Sequence, residues 1–330
     1  MTENKGQRAV VVLGMHRSGT SAITRGLKAL GVELGERMMI PLPDQNAKGF
    51  WEDSDIYELD EKILAALGRT WHSLSLIEPA EWQKPALKNL EKQALELVGS
   101  RVARYPLWGF KDPRTARLLP FWQPVFRQLG IAESYVIGLR NPLSVAKSLA
   151  ALNGFTAEKS YLLWLEHLLP ALSETAGKPR VVVDFDAVMA RPVEELHRIA
   201  QRLDLPSHDA ATQAIAEYAD DFLAQELRHS VFGLEDLKQD NRVCELMRKA
   251  YELLHDLAHD RHGPMGSPAL DTEWERLERN FRALAPVYRY LDDCERRIEE
   301  LSRANTALEA ALPDAEKKLE EALAGDHGPE

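Results

Sequence analysis

Cysteine is scarce in this 330-residue chain, and the two that occur, Cys244 and Cys294, lie far apart. They have neither the spacing of a disulfide framework nor that of a zinc module, so both classes are excluded. Positive charge is also in deficit, because 52 acidic residues outnumber 41 basic ones and leave a net charge of −11. A sequence-independent nucleic-acid binder needs a basic surface, so no nucleic-acid partner is expected.

Long apolar runs are missing as well. No stretch is long enough to cross a bilayer, and the polar N-terminus, residues 1–7, lacks the pattern of a signal peptide. We therefore expect a cytoplasmic protein without a membrane span. A hydrophobic content of 45% and a charged content of 28% describe an ordinary globular protein that can bury one large core.

The first strong pattern is a phosphate-binding loop near the N-terminus. An apolar, β-branched run leads to Gly14, and a helical pattern begins after Gly19. A strand, a glycine-bounded loop and a helix in this order point backbone N–H groups at an anion. The loop lacks the lysine of nucleoside triphosphatases, because Thr20 stands in its place and the nearest cation is Arg17. The sequence therefore predicts phosphate binding without ATP hydrolysis.

Strands alternate with amphipathic helices farther along the chain. Three more strands are predicted, over residues 107–111, 134–140 and 180–185. Strands that are apolar throughout and alternate with helices predict an α/β fold of P-loop type, with a mostly parallel sheet flanked by helices. Ligands of such sheets lie at the carboxyl ends of the strands. Arg17, Lys111 and Arg140 all fall at or just past predicted strand ends, and their convergence predicts a polyanionic ligand.

The C-terminal part of the chain is predicted to be helical. Residues 1–265 are assigned to the α/β domain, with 203–265 as its helical completion, and residues 266–330 to a helical tail with a disordered end. Apolar residues recur with heptad spacing in this tail, and Asn305 occupies an a position, which predicts a coiled-coil extension. Pro313 is expected to break or kink the helix. The tail either packs on its own domain or forms a homo-oligomer, and the sequence leaves both open.

Two widely separated motifs resemble one enzyme family. The run Arg17-Ser18-Gly19-Thr20-Ser21 resembles the 5′-phosphosulfate loop of sulfotransferases that use 3′-phosphoadenosine 5′-phosphosulfate (PAPS). A second family motif, a strand ending in Arg-Asn-Pro with a serine farther on, is matched by Arg140, Asn141, Pro142 and Ser148. The resemblance covers roughly residues 8–205, including a later strand and acidic helix that are similar to the family's.

The resemblance implies a cofactor and a reaction. It implies that the sulfuryl group of PAPS is transferred by in-line displacement to a hydroxyl or amine of a saccharide or another small metabolite. The product is 3′,5′-ADP and no metal is required. The implied cofactor-binding residues are Gly14, His16, Arg17, Ser18, Gly19, Thr20, Ser21, Arg140 and Ser148. In the family, the arginine and the serine of the second motif bind the 3′-phosphate. For His16, a supporting role is favoured over a catalytic one.

The resemblance also implies catalytic residues. It is closest to bacterial members with a Lys-Gly-Phe-Trp-Glu loop, here Lys48 to Glu52, and heparan-type members have a comparable loop whose glutamate is the base. Glu52 is therefore the candidate base, with Asp53 and Asp112 as the next choices. The cytosolic small-molecule branch has a histidine where this chain has Pro113, which favours a carboxylate base.

Two cations complete the catalytic set. Lys111 is expected to contact the transferring sulfuryl oxygens. Arg17 is given an electrostatic role towards the leaving group, because arginine does not readily donate a proton. Trp51 and Trp108 are candidates either for an acceptor pocket or for the core. Arg228 and His229 either close over the ligand or lie at a solvated helix end.

Two other functions compete with sulfuryl transfer. A small-molecule kinase that uses ATP and Mg²⁺ is supported by the apolar strand that ends in Asp184, since NTPases hold Mg²⁺ at such a position. Thr20 and the pair Arg140 and Ser148 argue against it. The third possibility is a non-catalytic nucleotide-binding scaffold that assembles through its tail.

Overall fold

The computed structural model describes residues 6–40, 49–206, 209–223, 231–262 and 266–325. It contains a four-stranded sheet of β1 (Arg8–Gly14), β2 (Leu107–Lys111), β3 (Ala132–Leu139) and β4 (Arg180–Asp184). The strand order is β2-β1-β3-β4, and each neighbouring pair is parallel. This confirms the predicted α/β fold with a mostly parallel sheet flanked by helices.

Helices connect the strands and follow them. They are α1 (Thr20–Ala29), α2 (Ser54–Ala66), α3 (Leu87–Arg104), α4 (Thr115–Leu129), α5 (Pro142–Asn153), α6 (Ala157–Ser173), α7 (Phe185–Ala190), α8 (Pro192–Arg202), α9 (Asp209–Glu217), α10 (Leu234–Gln239), α11 (Glu245–Ala258), α12 (Pro268–Arg282) and α13 (Ala285–Gly325). A 3₁₀ turn at Pro79–Gln83 and a π turn at Tyr218–Phe222 are also present. Among the described helices, none combines the length and the apolarity that a membrane span requires.

The core forms where apolar strands meet the apolar faces of helices. Val10 and Val12 of β1 are fully buried in one cluster with Ile23 and Leu27 of α1 and with Leu196 of α8. Successive strand residues point to opposite faces, so β1, which is apolar at every position from 9 to 13, is covered on both sides. Its carboxyl end is thereby fixed, and with it the loop that follows.

Two prolines interrupt the sequence of α4 without interrupting the helix. The helix was predicted over the bounds at which it occurs, but a disturbance was expected at Pro120 and Pro124. An interior proline removes a backbone hydrogen bond and costs about 3 kcal/mol. Trp122 and Phe126 lie fully buried on the same helix, and burial of such side chains offsets that cost.

The chain divides into two compact units at a position later than the predicted start of the tail. The structure divides into one compact unit that ends at Ala283 and a second that begins at Leu284, whereas the tail was expected to begin at residue 266. Helix α12 belongs to the first unit, because Trp274 donates a hydrogen bond from Nε1 to the carbonyl of Leu169, 3.1 Å away. The second unit contains α13, which runs without interruption through Pro313 rather than breaking there.

Candidate active site

The loop between β1 and α1 needs glycine at both ends. Gly19 has a φ of 75°, and a Cβ at this position would lie 2.0 Å from the ring of Phe185. Gly14 has a φ of 149°, and a Cβ there would lie 2.8 Å from the carbonyl oxygen of Gly138. Arg17 also has a positive φ, 67°, which is unfavourable for a residue with a side chain. Such strain is typical of functional loops that the surrounding fold holds in place.

The first turn of α1 is suited to an anion. Its N-cap, Gly19, supplies no side-chain hydrogen bond, and no acidic residue lies in the first turn. The first N–H groups of a helix have no partners within it and lie at the positive end of its dipole. The hydroxyl of Ser18 is fully buried and has no hydrogen-bond partner among the described residues. Thus the loop can offer both backbone and hydroxyl donors to a phosphate.

The two motifs that suggested the family meet in space. Arg17 donates a hydrogen bond from Nε to Oγ of Ser148, 2.9 Å away on α5. Arg140, which follows β3, donates from Nη1 to the carbonyl oxygen of Arg17 at 3.0 Å. The guanidinium carbon of Arg140 also lies 4.7 Å from the ring centre of Phe185. Two cations and a hydroxyl therefore lie together beside the loop at the carboxyl edge of the sheet.

Lys111 and Glu52 form a buried ion pair on the other side of the loop. Nζ of Lys111 lies 2.5 Å from Oε1 of Glu52 and 3.4 Å from Oγ of Ser21. The Ser21 hydroxyl in turn donates to the carbonyl oxygen of Phe50 at 2.9 Å, which connects the segment that carries Glu52 to α1. Burial raises the pKa of the Glu52 carboxyl, and the negative charge of Asp112 adds to this effect, although the Lys111 ammonium opposes it.

The two other candidate carboxylates hold local structure instead. Asp53 caps α2 by accepting from the N–H of Asp55 at 2.9 Å, and it pairs with Arg101 at 3.0 Å. Asp112 accepts from the backbone N–H of Arg114 at 2.8 Å and from its guanidinium at 3.0 Å. Both carboxylates are thus occupied by fixed donors, whereas Glu52 contacts the lysine of the site.

His16, a residue of the loop, packs against aromatic rings from other segments. Its ring centre lies 4.3 Å from that of Trp71 and 6.0 Å from that of His167. Its Nε2 is buried without a hydrogen-bond partner in the described part of the chain. Burial, with the nearby charge of Arg114, lowers the pKa of His16 well below its usual range. The ring is therefore neutral near pH 7, which suits support of the loop better than proton donation.

An aromatic cluster beside His16 was missed by the sequence analysis. The ring of Phe155 lies 5.7 Å from that of Trp71 and 5.5 Å from that of His72, and Nζ of Lys159 lies 4.4 Å from its centre. All four side chains are half-buried, and Trp71 connects them to His16 of the loop. They come from two distant segments without a shared motif, so only the fold could bring them together.

The remaining predicted residues lie elsewhere. Trp108 is fully buried, and its ring stacks on that of Phe110 at 5.0 Å, so it belongs to the core rather than to an acceptor pocket. Trp51 is half-buried and packs 5.9 Å from Phe222. Lys48, Arg228 and His229 lie outside the described residues.

Solved sulfotransferase domains are similar to this chain over most of its length. One is the sulfotransferase domain of the Synechococcus PCC 7002 olefin synthase, at 14% identity and a TM-score of 0.40, covering 84% of this chain and 95% of that domain. Another is the sulfotransferase domain of the curacin biosynthetic pathway, at 16% identity and a TM-score of 0.39, covering 84% and 98%. At these identities and TM-scores the similarity carries no conclusion about activity. No family model and no curated protein matches the chain.

Proposed function

We propose that the protein is a PAPS-dependent sulfotransferase that acts on a hydroxyl or amine acceptor. The observation that carries this proposal is the contact of the two motifs, in which Arg17 of the loop bonds Ser148 and Arg140 bonds the Arg17 carbonyl. A nucleotide with a phosphate at each of two positions would explain two separate cationic groups at one edge. A nucleoside monophosphate site would need the loop alone.

The described residues fit such a nucleotide. Two kinds of donor lack an acceptor among the described residues: the buried hydroxyl of Ser18 and the first N–H groups of α1, which no side chain caps. Gly19 keeps the backbone free of a Cβ where the loop passes Phe185. Arg17, Ser18 and the N–H groups of the first turn would hold the 5′ side. Arg140 and Ser148 would hold the 3′-phosphate.

Charge stabilisation is the first task of the site. When bound, PAPS supplies the sulfuryl group and is left as 3′,5′-ADP. Arg17 is charged throughout and lies where negative charge would accumulate on the leaving phosphate. Lys111 is 2% exposed, and in such a buried position of low dielectric its ammonium attracts negative charge more strongly than it would in water.

Proton acceptance is the second task. The acceptor hydroxyl or amine must lose a proton, and Glu52 is the carboxylate that contacts Lys111 at the site. Because burial raises the pKa of Glu52, its carboxylate is a stronger base than an exposed glutamate. An acceptor that approaches between Lys111 and Glu52 would compete for the ion pair and free one carboxylate oxygen for the proton.

Calorimetric titration with 3′,5′-ADP and with ATP, each in EDTA and then in Mg²⁺, tests the proposal. We expect 3′,5′-ADP to bind in EDTA and ATP to bind weakly under both conditions. Mg²⁺-dependent ATP binding without preference for a 3′-phosphate would overturn the proposal in favour of a kinase. Binding of 3′,5′-ADP without sulfuryl transfer across a broad set of hydroxyl and amine acceptors would favour a nucleotide-binding scaffold.

The contacts of Asp184 disfavour the kinase. Its Oδ1 accepts a hydrogen bond from the N–H of Asp186 at 3.1 Å, which caps α7. Its Oδ2 lies 3.2 Å from Nε2 of His259. A kinase would need this carboxylate for Mg²⁺ beside the nucleotide, whereas its Oδ2 faces an imidazole, a ligand that Mg²⁺ does not favour.

A further inference from the structure

Asp184 lies in a cluster of metal-ligating side chains that sulfuryl transfer does not use. Asp184 is the last residue of β4, His255 lies in the last turn of α11, and His259 is the C-cap residue of that helix. One ligand atom from each of these three residues can be chosen so that all lie within 4.8 Å of one another. Residues four apart on a helix lie on the same face, which is why the two histidines reach the same carboxylate.

We propose that Asp184, His255 and His259 bind a divalent transition-metal ion of the zinc type. Two imidazoles and one carboxylate are the ligands that such ions prefer, whereas Mg²⁺ and Ca²⁺ take oxygen ligands. The ion would stabilise the junction between α11 and the carboxyl end of β4.

The distances suit this geometry. Ligand atoms about 2.0–2.1 Å from a tetrahedral ion stand roughly 3.3 Å from one another. Nε2 of His259 lies 3.2 Å from Oδ2 of Asp184, and the rings of His255 and His259 are 4.4 Å apart between centres. The ion would take the place of the proton between Nε2 and Oδ2, and that proton would move to Nδ1 of the same ring. The ligand atom of His255 lies within 4.8 Å of the other two, so its ring must move closer to bind the same ion.

The surroundings leave room for a ligand from outside the chain. A cavity of about 320 Å³ is lined by all three residues. Among the described residues, no hydrogen bond involves the His255 ring, so one imidazole is available for an ion. Arg191 and Arg261 line the same cavity, and their charges favour an anion or an acidic group in the fourth position.

Zinc binding to the full-length chain, freed of any affinity tag, tests the proposal. Zn²⁺ is titrated into the protein in competition with a chromophoric chelator, and the midpoint of thermal unfolding is followed with and without Zn²⁺. We expect one Zn²⁺ per chain and a higher midpoint with the ion, because an ion that binds the folded state stabilises it. His255→Gln is expected to weaken binding at least tenfold and to abolish the shift of the midpoint.

Two variants make the result specific. Asp184→Asn keeps a side chain that can cap α7 but removes the charge, and it should weaken Zn²⁺ binding as His255→Gln does. His197→Gln, at an exposed position of α8, should bind Zn²⁺ as the unaltered chain does.

Absence of Zn²⁺ binding, or equal binding by the His255 and His197 variants, would overturn the proposal. Displacement of Zn²⁺ by millimolar Mg²⁺ would overturn it as well. Since none of these measurements requires PAPS, the result is independent of the proposed sulfotransferase activity.

Discussion

Nζ of Lys111 lies 2.5 Å from Oε1 of Glu52, and both side chains are buried at the carboxyl edge of the sheet. The lysine ends β2, while the glutamate comes from the segment that precedes α2. A buried ion pair of this kind is strongly coupled, because loss of one partner leaves the other charge without compensation. This pair is therefore both a candidate for catalysis and a local stability element, and variants must separate the two roles.

The isosteric variant Glu52→Gln separates them. It keeps the size and hydrogen-bonding ability of the side chain but cannot accept a proton. We expect the affinity for 3′,5′-ADP to stay within about twofold and turnover to fall by roughly 10²- to 10⁴-fold, the usual contribution of a general base. Calorimetry measures the first quantity and a sulfuryl-transfer assay the second.

Asp53→Asn is the matched comparison, since its carboxylate caps α2 and pairs with Arg101. Unchanged turnover in the Glu52 variant would place the base elsewhere.

Arg140 is predicted to discriminate between nucleotides. Arg140→Ala should weaken 3′,5′-ADP binding on the order of 10- to 100-fold, because a hydrogen bond to a charged group contributes about 1.5–3 kcal/mol. Binding of 5′-AMP, which lacks the 3′-phosphate, should change much less. Calorimetric titration of both nucleotides gives the ratio. Arg104→Ala, on the exposed side of α3, controls for net charge. Equal losses for the two nucleotides would contradict the role given to Arg140.

Local patterns predicted the elements that position the site. The bounds of β2 and α4 agree with the sequence prediction, because Leu107 to Lys111 is a short apolar run and a helical pattern follows it directly. The convergence of Arg17 and Arg140 was also expected, since parallel strands bring their carboxyl ends to one edge. The bounds of these elements depend on a few neighbouring residues, and the meeting of the two arginines depends on the rule that parallel strands end at one edge.

Contacts between distant segments could not be predicted in this way. Trp71 and Phe155 come together only through the packing of the loops that carry them. The place of α12 within the first unit depends on a contact between distant segments, the hydrogen bond from Trp274 to the carbonyl of Leu169. The spacing of His255 and His259 was visible in the sequence, but their partner Asp184 belongs to another element.

His167 is predicted to make the fold sensitive to acid. The ring is fully buried, its Nδ1 donates to the carbonyl of Leu163 at 2.7 Å, and burial lowers the pKa of His167 from 6.5 to about 3. The unfolded chain therefore binds more protons than the folded chain between pH 6.5 and about 3. Hence the free energy of unfolding should fall as pH decreases through this range, with a slope of up to about 1.4 kcal/mol per pH unit from this group.

Urea denaturation at a series of pH values tests that dependence. His167→Gln removes the titrating group, so its free energy of unfolding should depend less steeply on pH between 6.5 and about 3 than that of the unaltered chain. His197→Gln, at an exposed position, should keep the original slope. If both variants show the same slope as the unaltered chain, His167 does not take up the proton on unfolding.

Helix α13 is predicted to associate with a second copy of itself. Its heptad positions leave large apolar side chains exposed in the single chain, among them Ile298 at 65% and Leu308 at 70%. Burial of such a stripe in a coiled coil stabilises the assembly, and Asn305 at an a position would fix the register.

Sedimentation equilibrium of the full chain should therefore show an oligomer. Leu308→Glu, at a d position, should shift it towards the monomer, because a buried unpaired carboxylate is costly. Ala310→Glu, two residues farther on at an f position, adds the same charge outside the seam and should leave the oligomer intact. A monomer at all concentrations, or equal effects of the two variants, would show that the stripe does not mediate self-association.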